Sequence, residues 1–142
     1  MSQVRKNSEI NVLIADDDAT TRLVLRLLLQ EHEFNVIGEA TNGEKAVELC
    51  CSQKPQIAFL DIDMPRLDGK QAAKKIRAQQ PNTSIIIVSA VSTADNVKEA
   101  AEAGASAFVV KPFTAGKLID AIDTCLKKRG QAVRGPADRG PA

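Results

Sequence analysis

The stretch Ile10-Asn11-Val12-Leu13-Ile14-Ala15-Asp16-Asp17-Asp18 decides the fold. Its apolar residues follow one another without the polar alternation of a sheet that has one wet face. The run therefore reads as a strand buried on both sides. It stops abruptly at three aspartates, and a helical period begins near Ala19. A buried strand feeding directly into a helix is the opening of a β-α-β unit.

Working outward, the same pattern recurs. Short runs rich in Ile, Val and Leu at 34–38, 57–60, 84–88 and 107–110 join the first at 10–15 as strands. Helices are predicted to begin near Ala19, Gly43, Lys70, Thr93 and Thr114. The last carries Leu118, Ile119, Ile122, Cys125 and Leu126 as one apolar stripe that should face the sheet. Asp18, Asn42 and Thr114 stand where N-caps belong, and Gly38, Gly104 and Gly130 punctuate segment ends. The fold class is α/β: a doubly wound, five-stranded parallel sheet with five helices.

A chain of 142 residues, 44% hydrophobic and 26% charged, has room for one domain with a core of its own. Its net charge of +1 gives no electrostatic reason to expect nucleic acid as a direct partner. No apolar run is of membrane-spanning length, so no membrane insertion is expected. Residues 1–9 lack the apolar segment of a signal peptide and read as a disordered N-terminal segment. Three cysteines without C-x-x-C spacing argue against a disulfide framework or zinc site and fit a reducing, cytoplasmic setting. The single histidine, His32, sits at a polar helix end and is assigned no chemistry. Residues 130–142 contain Arg-Gly-Pro-Ala twice and almost nothing that could be buried, so this tail is expected to be disordered. The domain proper is placed at 10–129.

In an open parallel sheet all strand carboxyl ends share one edge, where ligands bind. The first strand runs into Asp16, Asp17 and Asp18, the third into Asp61, the fourth into Ser89 and the fifth into Lys111-Pro112. Each has an ordinary reading. A row of aspartates can cap a helix and complement its dipole, an aspartate or serine can shape a turn, and a lysine is usually a solvated surface charge. One cap needs only one carboxylate, however, and that leaves Asp16 and Asp17 beside Asp61 in mutual repulsion unless a cation intervenes. Hard oxygen donors without His or Cys suit Mg²⁺. Lys111 at the same edge reads as a fixed counter-charge. Met64-Pro65-Arg66-Leu67-Asp68-Gly69 supplies a stiff proline and then a glycine able to take a positive φ, shaping a loop beside Asp61.

Val12-Leu13-Ile14-Ala15-Asp16-Asp17-Asp18, Asp61-Ile62-Asp63-Met64-Pro65 with Asp68-Gly69, Ser89-Ala90, Gly104-Ala105 and Lys111-Pro112-Phe113 occur in an order and spacing that resemble the receiver domain of two-component response regulators, the single-domain chemotaxis type above all. The resemblance covers residues 10–129 and implies the flavodoxin-like strand order 2-1-3-4-5. It implies Asp61 as phosphoacceptor, and Mg²⁺ held by Asp16, Asp17, Asp61 and the backbone carbonyl of Asp63. Ser89, Lys111 and the backbone of Ala90 would bind phosphoryl oxygens, and the Lys111-Pro112 bond would be cis. Ser89 and Phe108 would form the switch. Phe108 lacks the hydroxyl of the tyrosine frequent at that position, so a step that needs a tyrosine hydrogen bond has no donor. Asp63 and Val91 occupy positions that tune dephosphorylation in the family.

The implied donor is a sensor histidine kinase or histidine phosphotransfer protein. The implied output is a downstream protein target, met on the fourth helix, fifth strand and fifth helix, roughly 93–128. With no recognisable output domain after residue 129, a stand-alone regulator is expected. Two other readings share the motifs. A pseudo-receiver would act as an interaction module without phosphorylation. An aspartate-nucleophile phosphohydrolase would use Asp61-x-Asp63, but the acidic pair precedes the nucleophile and no segment is long enough for a substrate cap. A flavin binder on the same sheet is opposed by three aspartates where phosphate should sit.

Overall fold

The computed structural model of the chain describes residues 7–139, with side chains through residue 128. Five strands, β1 (Asn11–Ala15), β2 (Asn35–Ala40), β3 (Ile57–Asp61), β4 (Ser84–Ser89) and β5 (Ala105–Val110), alternate with helices α1 (Ala19–Glu31), α2 (Gly43–Gln53), α3 (Gly69–Gln79), α4 (Ala94–Glu102) and α5 (Ala115–Arg139). All neighbouring strands pair in parallel, in the order β2-β1-β3-β4-β5. The central strands β3 and β4 are buried at every residue, which is why they carry no polar alternation. The edge strands β2 and β5 are mostly half-buried.

Successive side chains on a strand point to opposite faces, and each face has its own core. Leu13, Ala58, Leu60, Ile85 and Ile87 pack with Ala46 and Cys50 of α2, Ala72, Ala73 and Ile76 of α3, and Ala100 of α4. On the other face Val12, Ile14, Phe59, Ile86 and Val88 pack with Leu25 and Leu29 of α1 and with Leu118, Ala121, Ile122 and Cys125 of α5. The small residues on α2, α3 and α4 let those helices lie close to the sheet. Among the described residues no disulfide joins Cys50, Cys51 or Cys125, and burial pushes the Cys50 thiol up to about 12.

Each helix start has a local cause. Asp18, Asn42, Asp68 and Thr93 are extended residues whose side chains accept from the backbone N–H three residues on, at Thr21, Lys45, Gln71 and Asn96. Thr114 does the same for Lys117. Thr93 is thus the cap of α4 rather than its first residue, and Asp68 is a cap the apolar pattern did not reveal. Gly104, at φ 110, closes α4 before β5.

The ends of the chain differ from expectation. Residues 7–9, expected to be disordered, form a 3-10 turn because they are tied down on two sides. Asn7 Nδ2 donates to the His32 carbonyl at 2.7 Å, and Gln56 Nε2 donates to the Glu9 carbonyl at 3.1 Å. The backbone of α5 runs on to Arg139, past residue 129 where the domain was expected to end. Adding turns to a helix already nucleated costs far less than starting one. Residues 1–6 and 140–142, also expected to be disordered, lie outside the described residues.

Candidate phosphoryl and metal site at the carboxyl edge of the sheet

The carboxyl ends of β1, β3, β4 and β5 converge, because parallel strands in register end at one level. Ala15 pairs with Leu60, Asp61 with Val88 and Ser89 with Val110, so the residues that follow arrive side by side. Asp16 and Asp61 are buried, at 1% and 6% exposure, among the few buried charged residues described. Asp17 is exposed, yet one carboxylate oxygen from each of Asp16, Asp17 and Asp61 lies within 4.8 Å of the others.

Lys111 enters this cluster from the end of β5. Its ammonium lies 2.9 Å from Asp61 Oδ1 and 3.1 Å from Asp16 Oδ2, bridging the two buried carboxylates. Its own backbone N–H donates to the Ser89 carbonyl at 2.9 Å, and its bond to Pro112 is cis. Asp16 is fixed further by the Asp18 N–H, 2.8 Å from its Oδ1, and its carbonyl accepts from Arg22 at 2.7 Å.

One ammonium does not neutralise this pocket. Burial pushes the Asp61 carboxyl from its ordinary 3.8 up to about 6. The hydrogen bond and charge of Lys111 oppose that rise, whereas the charges of Asp16 and Asp63 add to it. For Lys111, burial works to lower the pKa, but the hydrogen bonds and charges of Asp61 and then Asp16 outweigh it and hold the ammonium above its ordinary value. The hydrogen bond from Thr21 holds Asp18 below its ordinary value, as befits a cap.

The loop after β3 corrects one detail. The positive φ falls on Arg66, at 70°, not on Gly69. Leu67 N–H donates to the Pro65 carbonyl at 2.7 Å across Arg66, so the chain reverses within three residues. Gly69 serves a different need: a methyl group there would come within 2.3 Å of the Asp61 carbonyl oxygen. Start of α3 and end of β3 touch backbone to backbone, and only glycine fits.

Asp63 is exposed and acts on Asp61 through its charge. Ala90 follows β4 and is exposed. Ser89 is 3% exposed, and its hydroxyl accepts from the Val91 N–H at 3.1 Å. Phe108 is half-buried against the core face beneath α4 and borders a groove shared with Lys117 and Ala121 of α5. Two contributors were missed in the sequence: Arg22, which braces the Asp16 carbonyl from the first turn of α1, and Asn96, whose amide reaches Ser89. Arg22 is four residues after the Asp18 cap, a spacing that returns a side chain to the helix start, and this is the only sequence signal it offers.

Three hard carboxylates around one ammonium fit a divalent cation of the Mg²⁺ type, because the pocket retains negative charge that Lys111 leaves uncompensated.

Comparison with known proteins follows the same lines. A family model described as the response regulator receiver domain matches residues 12–123. The transcriptional regulatory protein PdtaR of Mycobacterium tuberculosis is 41% identical over 117 residues, 82% of this chain. The chain spans 57% of the length of that relative. The chemotaxis protein CheY of Thermotoga maritima is 41% identical over 116 residues, covering 82% of this chain and 97% of its own. Among solved structures, the CheX–CheY–BeF3–Mg²⁺ complex from Borrelia burgdorferi contains a chain that superposes with a TM-score of 0.79 at 32% identity, over 82% of this chain and 89% of that one. Among the described residues no helix is long and apolar enough to cross a membrane.

Proposed function

This chain belongs to the response regulator receiver domain family, and from that premise we propose that its domain at 10–129 takes a phosphoryl group onto Asp61 and thereby alters a protein-binding surface. The observation that carries this reading is the Lys111 ammonium set 2.9 Å from Asp61 and 3.1 Å from Asp16, with Asp17 completing the carboxylate cluster. The donor is a phosphohistidine on a sensor kinase or a histidine phosphotransfer protein.

An Asp61 carboxylate oxygen attacks phosphorus in line as the bond to the donor's imidazole nitrogen breaks, and the imidazole leaves with the electron pair. No side-chain base is needed, since a carboxyl at about 6 is largely ionised at neutral pH. Lys111 turns from bridging carboxylates to pairing the new phosphoryl oxygens, and the Ser89 hydroxyl and the Ala90 N–H supply the remaining donors. Asp16, Asp17, Asp61 and the Asp63 carbonyl would hold Mg²⁺, which supplies the positive charge that lets an anionic donor approach. Arg22 keeps Asp16 in place from below.

The response is a population shift in which Ser89 moves toward the phosphoryl group and Phe108 takes up the space released. The altered surface is α4, β5 and α5, where a downstream protein target docks. The cytoplasm is the setting that fits cysteines outside any disulfide.

Incubation of the chain with Mg²⁺ and a small acyl phosphate, followed by intact mass, tests the proposal. The wild type gains one phosphoryl group and Asp61→Ala gains none. A wild type that stays unmodified, even with a competent kinase, defeats it.

A further inference from the structure

Ser89 is not reaching for Asp61. Its hydroxyl oxygen accepts from the Val91 N–H at 3.1 Å and lies 3.5 Å from Asn96 Nδ2, so both acceptor directions are engaged by the loop after β4 and the first turn of α4. Asn96 Nδ2 is also 2.6 Å from the Val91 carbonyl. That carbonyl can only accept, so the group facing it is the amide nitrogen and not the amide oxygen. One side chain therefore staples both ends of the short segment that follows β4.

The staple has a firm base. Asn96 sits in the first turn of α4, and its backbone N–H donates to the Thr93 cap at 3.2 Å. Its side chain is half-buried over the segment from Ser89 to Val91. For the Ser89 hydroxyl to swing toward a phosphoryl group on Asp61, it must leave the Asn96 amide and the Val91 N–H together.

We propose that Asn96 is a positioning residue: its amide, anchored on the Val91 carbonyl, latches the Ser89 hydroxyl in the resting arrangement and so sets the threshold for the switch. This rests on the reading of Asp61 as phosphoacceptor. The latch stabilises only the resting state, so its removal favours the state that binds a phosphoryl group. A single neutral hydrogen bond corresponds to an effect of about threefold to tenfold in that equilibrium.

Titration of the full chain with beryllofluoride at saturating Mg²⁺ tests this, followed by amide NMR because the sequence has neither Trp nor Tyr. Asn96→Ala and the near-isosteric Asn96→Leu are expected to bind beryllofluoride about threefold to tenfold more tightly than wild type. In a Ser89→Ala background the same substitutions are expected to change affinity less than about twofold, because the latched hydroxyl is gone. A general loosening of α4 would act equally in both backgrounds. Unchanged affinity in both folded variants overturns the latch, and so does a tightening that persists without the serine. Both results leave the phosphoacceptor reading standing if wild type binds. Wild type that binds no beryllofluoride defeats the phosphoacceptor reading and takes the latch with it.

Discussion

The Lys111 ammonium lies 2.9 Å from Asp61 Oδ1, and the Asp61 carboxyl is nevertheless pushed up to about 6. Burial therefore outweighs the ion pair, and the folded state binds a proton that the unfolded chain, near 3.8, has already released. Stability must fall as pH rises from about 4 to about 6, with the whole loss in place at neutral pH. Asp61→Asn, which removes the charge and keeps the shape, is expected to be more stable than wild type at pH 7.5 by on the order of 1–2 kcal/mol, less than the full shift because Lys111 loses a partner. At pH 4 the gain should vanish. Urea unfolding of both proteins at the two pH values checks this, and an Asn variant that is less stable at pH 7.5 would sink it.

Removal of the ammonium acts in the opposite direction. Lys111→Met leaves Asp16 and Asp61 facing each other without a counter-charge, so the Asp61 titration should move above about 6. Phosphorylation from a small acyl phosphate should slow by about 10²- to 10³-fold, the usual cost of losing one charge-stabilising donor. Carboxyl ¹³C NMR follows the first quantity and intact mass against time the second. An unshifted Asp61 titration would mean that Lys111 does not govern this carboxylate.

Much of this arrangement is legible in the sequence, and its limits have physical causes. β4 is read to within one residue because every position from Ser84 to Ser89 is buried, so the apolar run and the strand coincide. β5 starts at Ala105 rather than at 107, because Ala105 and Ser106 on an edge strand carry little hydrophobic signal. The meeting of Asp16, Asp61 and Lys111 is legible because parallel strands deliver their ends to one edge. The orientation of the Ser89 hydroxyl and the reach of Asn96 are not, since hydrogen bonds across a loop leave no period in the sequence. The role of Gly69 was misread for a different reason: a close backbone approach and a positive φ both call for glycine, so the residue type alone does not tell them apart.

Cation dependence provides a separate prediction. If the folded cluster holds Mg²⁺ as proposed and the unfolded chain does not, the ion should stabilise wild type by about 2.7 kcal/mol at a hundredfold excess over its dissociation constant. The double variant Asp16→Ala with Asp17→Ala should lose most of that increment and most of the affinity. Thermal melts across a Mg²⁺ series, with chelator as the zero point, give the comparison. An unchanged increment in the double variant would exclude these residues as ligands.

The loop beside Asp61 contains two backbone demands that substitution can separate. Arg66 holds a positive φ of 70°, which glycine adopts without penalty, while its contact with Glu44 at 3.2 Å is an exposed ion pair of little worth. Arg66→Gly should therefore be neutral or more stable by up to about 1 kcal/mol. Gly69→Ala places a methyl group 2.3 Å from the Asp61 carbonyl oxygen, where backbone must move. The substitution should cost about 2–3 kcal/mol and slow phosphorylation, since the displaced atoms belong to Asp61, the proposed phosphoacceptor. Equilibrium unfolding with intact-mass kinetics on both variants measures the contrast. If Gly69→Ala is as stable and as reactive as wild type, the close packing of α3 against the end of β3 does not constrain Asp61.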